Sequence, residues 1–444
     1  MADDDLVFLA YADLSGLVRG RAVPARRYPT TVGWVPADQS ITPFGGLGDA
    51  NPFGPLGDLR LVPDETAHIR VDRPGTSTFD VVLCDAVEPD GQPFAACPRA
   101  ALRAAVDRLS EHHRLELRVS FEHELTLSDV DAILLAERGS GSERVTPAAA
   151  AHPAFSLRAL RAGEPFGSDV VRTLAAAGLD PENWLAEFGP GQFEITVGPA
   201  APMRAADRAV FVRELIRDIA CQHRRFVTFS PILDTAGVGN GVHVHLSLHT
   251  GDGRPVTHER GEPCGLSRSA RAFFSGIVRH LPALVAFTAP SAISGLRLTP
   301  HRWSAAFTAS GMRNREATLR ICPGPTPAGW NVEYRAADAA ANPQLVLAAL
   351  INAGCQGLDE QLDDLRLLPS DPNAMTPAAL DDMKAHRLPS TLVDALAALE
   401  ADPVARGWFP QLLIDTYLEM KRTEIAGLAD LTEAEQIARY REVY

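Results

Sequence analysis

Residues 119–127, VSFEHELTL, decide how the rest of the chain is read. Apolar and polar residues alternate there with a period of two, the pattern of a strand whose successive side chains face opposite ways. Phe121, His123 and Leu125 share one face; Glu122 and Glu124 share the other. Neighbouring carboxylates repel unless a positive charge sits between them. The acidic face is therefore either solvated or arranged around a cation.

Three further segments repeat the pattern. AEFGPGQFEITVG (186–198) sets Glu187 before a Gly-Pro-Gly turn, and Glu194 opposite the apolar face of Phe193, Ile195 and Val197. Taken alone, those two acids read as surface charge. GVGNGVHVHLSL (237–248) puts His243, His245 and Ser247 on one face. Such a histidine pair either binds metal or phosphate or sits satisfied in a core. Gly237, Gly239 and Gly241 lead into a strand rather than a helix, so they are no dinucleotide fingerprint, and no Walker A pattern occurs. NVEYRAAD (331–338) aligns Glu333 with Arg335, which as a surface ion pair would need no ligand.

A cationic segment, RLTPHRWSAAFTASGMRNREATLRICP (297–323), carries Arg297, Arg302, Arg313, Arg315 and Arg320. Guanidinium forks match phosphate and carboxylate oxygens, so this density suggests an anion site; an exposed basic patch is the alternative. Oxygen-rich ligation with one His and little sulfur selects Mg²⁺ or Mn²⁺. Set beside arginines, it fits phosphoryl transfer. Neither G-x-S-x-G nor a local cysteine-nucleophile signature is present.

The surrounding chain reads as α+β. VFLAYADL (7–14) and FDVVLCDAV (79–87) are strand-like, the second ending near the turn Asp90-Gly91, with a Gly/Pro-rich loop at 44–58 between them. A helix is predicted from Pro98, with Ala101, Leu102, Ala105, Val106 and Leu109 at helical spacing. A domain boundary is placed near residue 95, giving domains 1–95 and 96–444. Further helices are predicted over 203–223 and after the Asn342-Pro343 cap, and the last ~80 residues read as helical. RGSGSE (138–143) reads as a flexible loop.

Bulk properties narrow the classes. The 444 residues leave ample length for a core, and a formal charge of −14 argues against nucleic acid as a partner. Lys occurs only at 384 and 421, a bias read as genomic rather than functional. Six scattered cysteines without C-x-x-C fit a reducing compartment. The acidic start has no signal-peptide pattern, and no apolar run reaches membrane-spanning length. A soluble cytoplasmic protein with no membrane partner is expected.

In order along the chain, these segments resemble the glutamine synthetase family, type I in organisation. GDLRLVPDETAHI (57–69) resembles the end of the family's N-terminal β-grasp domain, and SFEHEL its G-x-E-x-E-F strand. EFGPGQFEI is close to E-x-G-P-G-Q-x-E-I, and GNGVHVHLSL resembles G-S-G-M-H-V-H-x-S-L. NREATLRICP resembles N-R-S-A-x-I-R-I-P, and EYRAADAAANPQL resembles E-x-R-x-P-D-P-x-x-N-P-Y-L. The resemblance implies a β-grasp domain followed by a catalytic domain whose antiparallel sheet, wrapped by helices, forms an active-site funnel. It implies one divalent-metal site of Glu124, Glu187 and Glu194, and a second of Glu122, His243 and Glu333. ATP would meet Glu182 and Ser247 at the adenosine, and His245, Arg315 and Arg320 at the phosphates. Arg335 would handle the transferred phosphoryl group. Arg297 would bind the glutamate α-carboxylate, with Gly239 and Ser40 also on the substrate side. The implied reaction passes through γ-glutamyl phosphate, and the implied assembly is a dodecamer of two stacked hexameric rings.

The departures concern the nucleophile. Trp303 stands where the family's flap Glu is expected, and Ala37, in PADQSI (36–41), where its ammonium-binding Asp is expected. Val238 replaces an Asn, Asn331 an Arg, and Pro231-Ile232-Leu233 a P-K-P; the adenylylated Tyr has no clear match near LRLLPSD (365–371). The pattern resembles the γ-glutamyl-amide ligase branch, which includes γ-glutamylethanolamide and γ-glutamylpolyamine synthetases. A Trp wall suits an alkyl chain. The amine is thus expected to be a short monoamine or amino alcohol rather than a polyamine, whose second ammonium would want a carboxylate. An ammonium-using glutamine synthetase and a non-catalytic scaffold on the same fold are the alternatives.

Overall fold

Two sheets carry the described residues, which in this computed structural model are 5–72, 77–129 and 152–444. The RGSGSE stretch lies outside them. Strands β1 (Leu6–Ala12), β2 (Val18–Pro24), β3 (Val32–Trp34), β4 (Leu59–Val71) and β5 (Phe79–Val87) form the first, in the order β2-β1-β5-β4-β3. Its pairs are antiparallel except β1 beside β5. A 3₁₀ turn, Pro36–Ser40, follows β3.

The second sheet contains β6 (Leu115–Asp129), β7 (Pro181–Ala186), β8 (Gln192–Val197), β9 (Arg225–Thr228), β10 (Val242–Thr250), β11 (Phe307–Met312), β12 (Ala317–Cys322) and β13 (Asn331–Tyr334). Its order is β11-β12-β13-β10-β6-β8-β7, with β9 pairing the far end of β6. Only the β11–β12 pair runs parallel. β6 is the spine. Leu117, Val119, Phe121, His123 and Leu125 are buried on its core face, while Glu122 and Glu124 on the other are half-buried. Burial, with the Arg213 charge adding to it, pushes the His123 imidazole down to about 3. It therefore sits in the core as a neutral ring.

Helices cover the core face. Pro98–His113 opens on a proline at its first turn, buries Ala101, Leu102, Ala105 and Leu109, and ends at Arg114 in the left-handed region. Pro202–Gln222 buries Val212, Leu215, Ile216 and Ile219. Asn342 caps Pro343–Asp359 by accepting the Leu345 N–H at 3.0 Å. These three helices pack on one another, and the first two also on β6, leaving the opposite sheet face free for a cavity. From Pro377 onward the chain is mainly helical, and all six cysteines are free. Among the described residues no helix is long and apolar enough to cross a membrane.

One arginine joins the two sheets' layers. Arg99, 2% exposed, donates to Asp207 at 2.7 and 3.1 Å, to Asp85 on β5 at 2.8 Å and to Asp64 on β4 at 2.9 Å. Among the described residues, removing it would leave the buried Asp207 without a counter-charge, held only by the Gln344 amide at 3.2 Å. Arg99→Ala should therefore cost about 3–5 kcal/mol in denaturant unfolding. Arg99→Lys, which cannot reproduce the fork, should recover only part of that; an unchanged midpoint for Arg99→Ala would refute the tie.

Candidate active site

Register, more than sequence distance, assembles the site. His243 on β10 lies opposite Glu122 on β6, and Glu124 on β6 opposite Glu194 on β8. His245 on β10 lies opposite Glu333 on β13, which in turn faces Arg320 on β12. Five adjacent strands thus aim acids, imidazoles and a guanidinium from one face. They open into a cavity of about 1110 Å³.

Glu122, Glu124, Glu187, Glu194, His243, Glu333, Gly239, Arg297, Arg315, Arg320, Arg335 and Trp303 all line that cavity, as does Val238. Four expected residues do not. Glu182 stands at the start of β7, and Ser247 farther along β10 near His249. Ser40 is buried in the N-terminal 3₁₀ turn. His245 lies just behind the lining, its Nε2 3.3 Å from Glu122 and its Nδ1 2.9 Å from Asn331 Oδ1.

The hydrogen bonds show what holds the acids together. His243 Nδ1 is 2.8 Å from Glu122, and the Gly241 N–H donates to Glu124 at 2.6 Å. Glu333 accepts from Arg320 at 2.7 Å and from Arg335. Gly239 must be a glycine: an added Cβ would sit 2.2 Å from the Pro231 carbonyl oxygen and 2.6 Å from Arg297 Cγ. Arg297 is buried against this loop and donates to the Ala337 carbonyl at 2.8 Å.

Charge within the cluster is polarised. Burial opposes ionisation of Glu122, but hydrogen bonds from His243 and His245 win and hold it well below the carboxylate range. Glu194 goes the other way. Burial first, then the Glu122 and Glu124 charges, push it up to about 10. Burial and the Glu124 charge also raise Glu187. Despite its burial, Arg335 and the two histidines bring Glu333 down to about 2. Burial alone would lower His245, but Glu122 and Glu333 raise it to about 9. Glu194 keeps a proton that a divalent cation would displace.

The donor chemistry fits hard divalent cations: carboxylate oxygens with single imidazoles and no thiolate. Ligand atoms fall within 4.8 Å of one another in two groups, Glu122–Glu194–His243 and Glu122–His245–Glu333. Glu122 is common to both, so two cations would share it. Glu124 and Glu187 line the same cavity outside these tight groups. The resemblance puts His245 at the ATP phosphates; cross-strand register, invisible in one segment, also sets it opposite Glu333 and against Glu122. It also passed over Glu316, the acid within NREATLRICP, which is buried and lines the cavity.

The description "Glutamine synthetase, catalytic domain" matches residues 95–440, and "Glutamine synthetase N-terminal domain" matches residues 2–94. The chain belongs to the glutamine synthetase family. It is an ATP-dependent carbon–nitrogen ligase of α+β fold, in a family that depends on ATP and divalent metal. This family member is 34% identical to a gamma-glutamylpolyamine synthetase of Streptomyces coelicolor, over 99% of this chain and 93% of that one. It is 27% identical to a glutamate–isopropylamine ligase of a Pseudomonas species, over 99% and 95%. A crystal structure described as a novel glutamine synthase homolog superposes with TM-score 0.87 at 39% identity, covering 100% and 99% of the two chains. Ligand-free GmaS superposes with TM-score 0.80 at 27% identity, covering 98% and 96%.

Because Glu194 is raised on folding, metal-free stability is fullest below the ordinary carboxylate range and falls as pH rises through it toward about 10. Glu194→Gln removes that loss. The metal-free variant should be more stable than wild type by about 1 kcal/mol or more, the gap widening from about pH 5 to pH 8, while Mn²⁺ affinity drops. Thermal melts across pH with Mn²⁺ calorimetry measure both. A variant less stable at every pH would contradict the polarised cluster.

Proposed function

We propose that this ligase joins a primary amine to the γ-carboxylate of glutamate, using ATP and passing through γ-glutamyl phosphate. The observation carrying the reading is the cavity in which acids from β6, β8 and β13 meet arginines from β12 and the segment before it. We take residues 1–95 as the N-terminal domain and 96–444 as the catalytic domain. All six cysteines being free supports a cytoplasmic setting.

Glu122, Glu194, His243 and Glu333, with Glu124 and Glu187 beside them, would hold Mg²⁺ or Mn²⁺, which would supply positive charge for the phosphate oxygens. Arg315, exposed in the cavity, and Arg320 on β12 are placed to bind the ATP phosphates. His245, raised to about 9 by Glu122 and Glu333, is the cation proposed to approach the phosphates on that side of β10, and so is not counted among the metal ligands. The nucleoside is proposed to extend along β10 toward Ser247 and Glu182. Arg297 lines the cavity and its buried Nε has no hydrogen-bond partner, which suits it to the glutamate α-carboxylate. Gly239 keeps the backbone close beside it. The glutamate γ-carboxylate attacks the γ-phosphorus and the β–γ bridging P–O bond breaks to release ADP, Arg315, Arg320 and Arg335 neutralise the charge that develops, and the amine then displaces phosphate from the γ-carbonyl carbon.

Trp303 supports an amine over ammonium. Its backbone is pinned from both sides, by Glu316 on its N–H and by Arg335 on its carbonyl, and its side chain is 56% exposed at the cavity. Such a wall contacts an alkyl chain better than a hydrated small cation. A short monoamine or amino alcohol is the preferred substrate. A second reading, a polyamine, is favoured by the 34% identity to a gamma-glutamylpolyamine synthetase and by Asp371, which lines the same cavity and could receive a distal ammonium. A coupled ADP-release assay with glutamate and a panel of amines separates them. At least one primary amine should exceed ammonium in kcat/KM by about tenfold, or 1.4 kcal/mol. Ammonium as the best substrate would return the protein to plain glutamine synthetase, and no turnover with nucleotide binding lost would leave a scaffold.

Ser40 lies in the N-terminal domain and away from its own chain's cavity. That supports a homo-oligomer, a dodecamer of two hexameric rings, in which another copy's N-terminal domain closes the site. Sedimentation should give a mass near twelve times the 47.7 kDa chain; a fully active monomer would rule this out.

A further inference from the structure

The cavity holds an acid that neither the cation cluster nor the phosphate arginines use. Glu316 stands between Arg315 and β12 and is 6% exposed. Its Oε1 accepts the Trp303 N–H at 3.0 Å; its Oε2 is buried with no hydrogen-bond partner. Arg387, which feels the Glu316 charge, makes no ion pair with it among the described residues, its head lying over the Phe307 ring and donating to the Leu298 carbonyl. A buried carboxylate oxygen without a donor is costly, and the cost is relieved when a ligand brings an N–H.

The proposed reaction requires such an oxygen. An alkylamine enters as an ammonium ion and must lose a proton before its lone pair can attack. Of the acids lining the cavity, those in the cluster are committed to cations. Asp371 is partly exposed and lies 3.5 Å from His301 at the surface. Glu316 is the buried acid left over, and it is tied to the residue forming the apolar wall.

We infer that Glu316 binds the substrate ammonium and accepts its first proton, which makes it a specificity-determining and catalytic residue for amide formation. This rests on the amine-ligase reading above. One N–H of the ammonium bonds Oε2 while the alkyl chain runs along Trp303. The proton passes to Glu316, and the freed nitrogen forms the C–N bond at the γ-carbonyl carbon. The C–O bond to phosphate then breaks, phosphate leaving with the electron pair and taking the second proton from nitrogen. Glu316 returns its proton to water.

Glu316→Gln retains an oxygen for the Trp303 N–H but cannot accept the proton. Hydroxylamine, largely neutral at neutral pH, needs no deprotonation and serves as the reference nucleophile. The ratio of kcat/KM for the best alkylamine to that for hydroxylamine should fall by about tenfold or more in Glu316→Gln. It should recover in part as pH rises and the free-amine fraction grows, and Glu316→Asp should restore some of it. An unchanged ratio, whether both activities persist or both fall together, would overturn the assignment and leave Glu316 as a support for Trp303. Wild type inert toward every amine, yet active with ammonium, would overturn the underlying reading instead.

Discussion

The rest of the structure depends on carboxylate crowding that three strands impose by their register. β6, β8 and β13 bring Glu122, Glu124, Glu194 and Glu333 to one side of the sheet, the first two half-buried and the last two buried. Like charges at such spacing cannot all ionise without compensation. The protein supplies part of it: two histidines on β10 for Glu122, and two arginines for Glu333. What remains uncompensated stays protonated at Glu194. A site arranged this way is strained until cations enter, and the phosphate-bearing nucleotide is the ligand that benefits from those cations.

Much of the remaining architecture serves that arrangement. The core face of β6 is closed by helices that bury Leu117, Val119 and Phe121, which fixes the alternation and hence the direction of the acids. The glycine loop before β10 does two jobs in one turn. Gly241 donates its N–H to Glu124, and Gly239 leaves room for Arg297. On the other flank, Arg335 bridges Glu333 to the Trp303 carbonyl, so the segment carrying the apolar wall is tied directly to the acid cluster. The acid cluster and the Trp303 segment are therefore coupled through one guanidinium.

What could be read in the sequence follows from this geometry. The two-residue period of VSFEHELTL shows which side chains share a face, because that is a property of one strand. The helix beginning at Pro98 and the cap at Asn342 were equally local and equally legible. Cross-strand partners are not local. Nothing in HVH says that His245, rather than His243 alone, would lie against Glu122 and opposite Glu333, since that needs the register of β10 against two other strands. Glu316 was hidden for a related reason. Its neighbours in sequence are ordinary, and only the fold brings it under the Trp303 backbone. Ser40, Glu182 and Ser247 came from the family pattern and lie outside the single chain's cavity lining, where a partner copy or a bound nucleotide would be needed to connect them to it.

The central claim is that the glutamate γ-carboxylate, rather than water or the amine, attacks ATP. Glutamate labelled with ¹⁸O in its γ-carboxylate tests it directly, with inorganic phosphate and amide analysed by mass spectrometry after turnover with Mn²⁺, ATP and a primary amine. The account predicts one labelled oxygen in each phosphate released, and a γ-glutamyl amide retaining the other. Phosphate without label, at a rate matching amide formation, would contradict it.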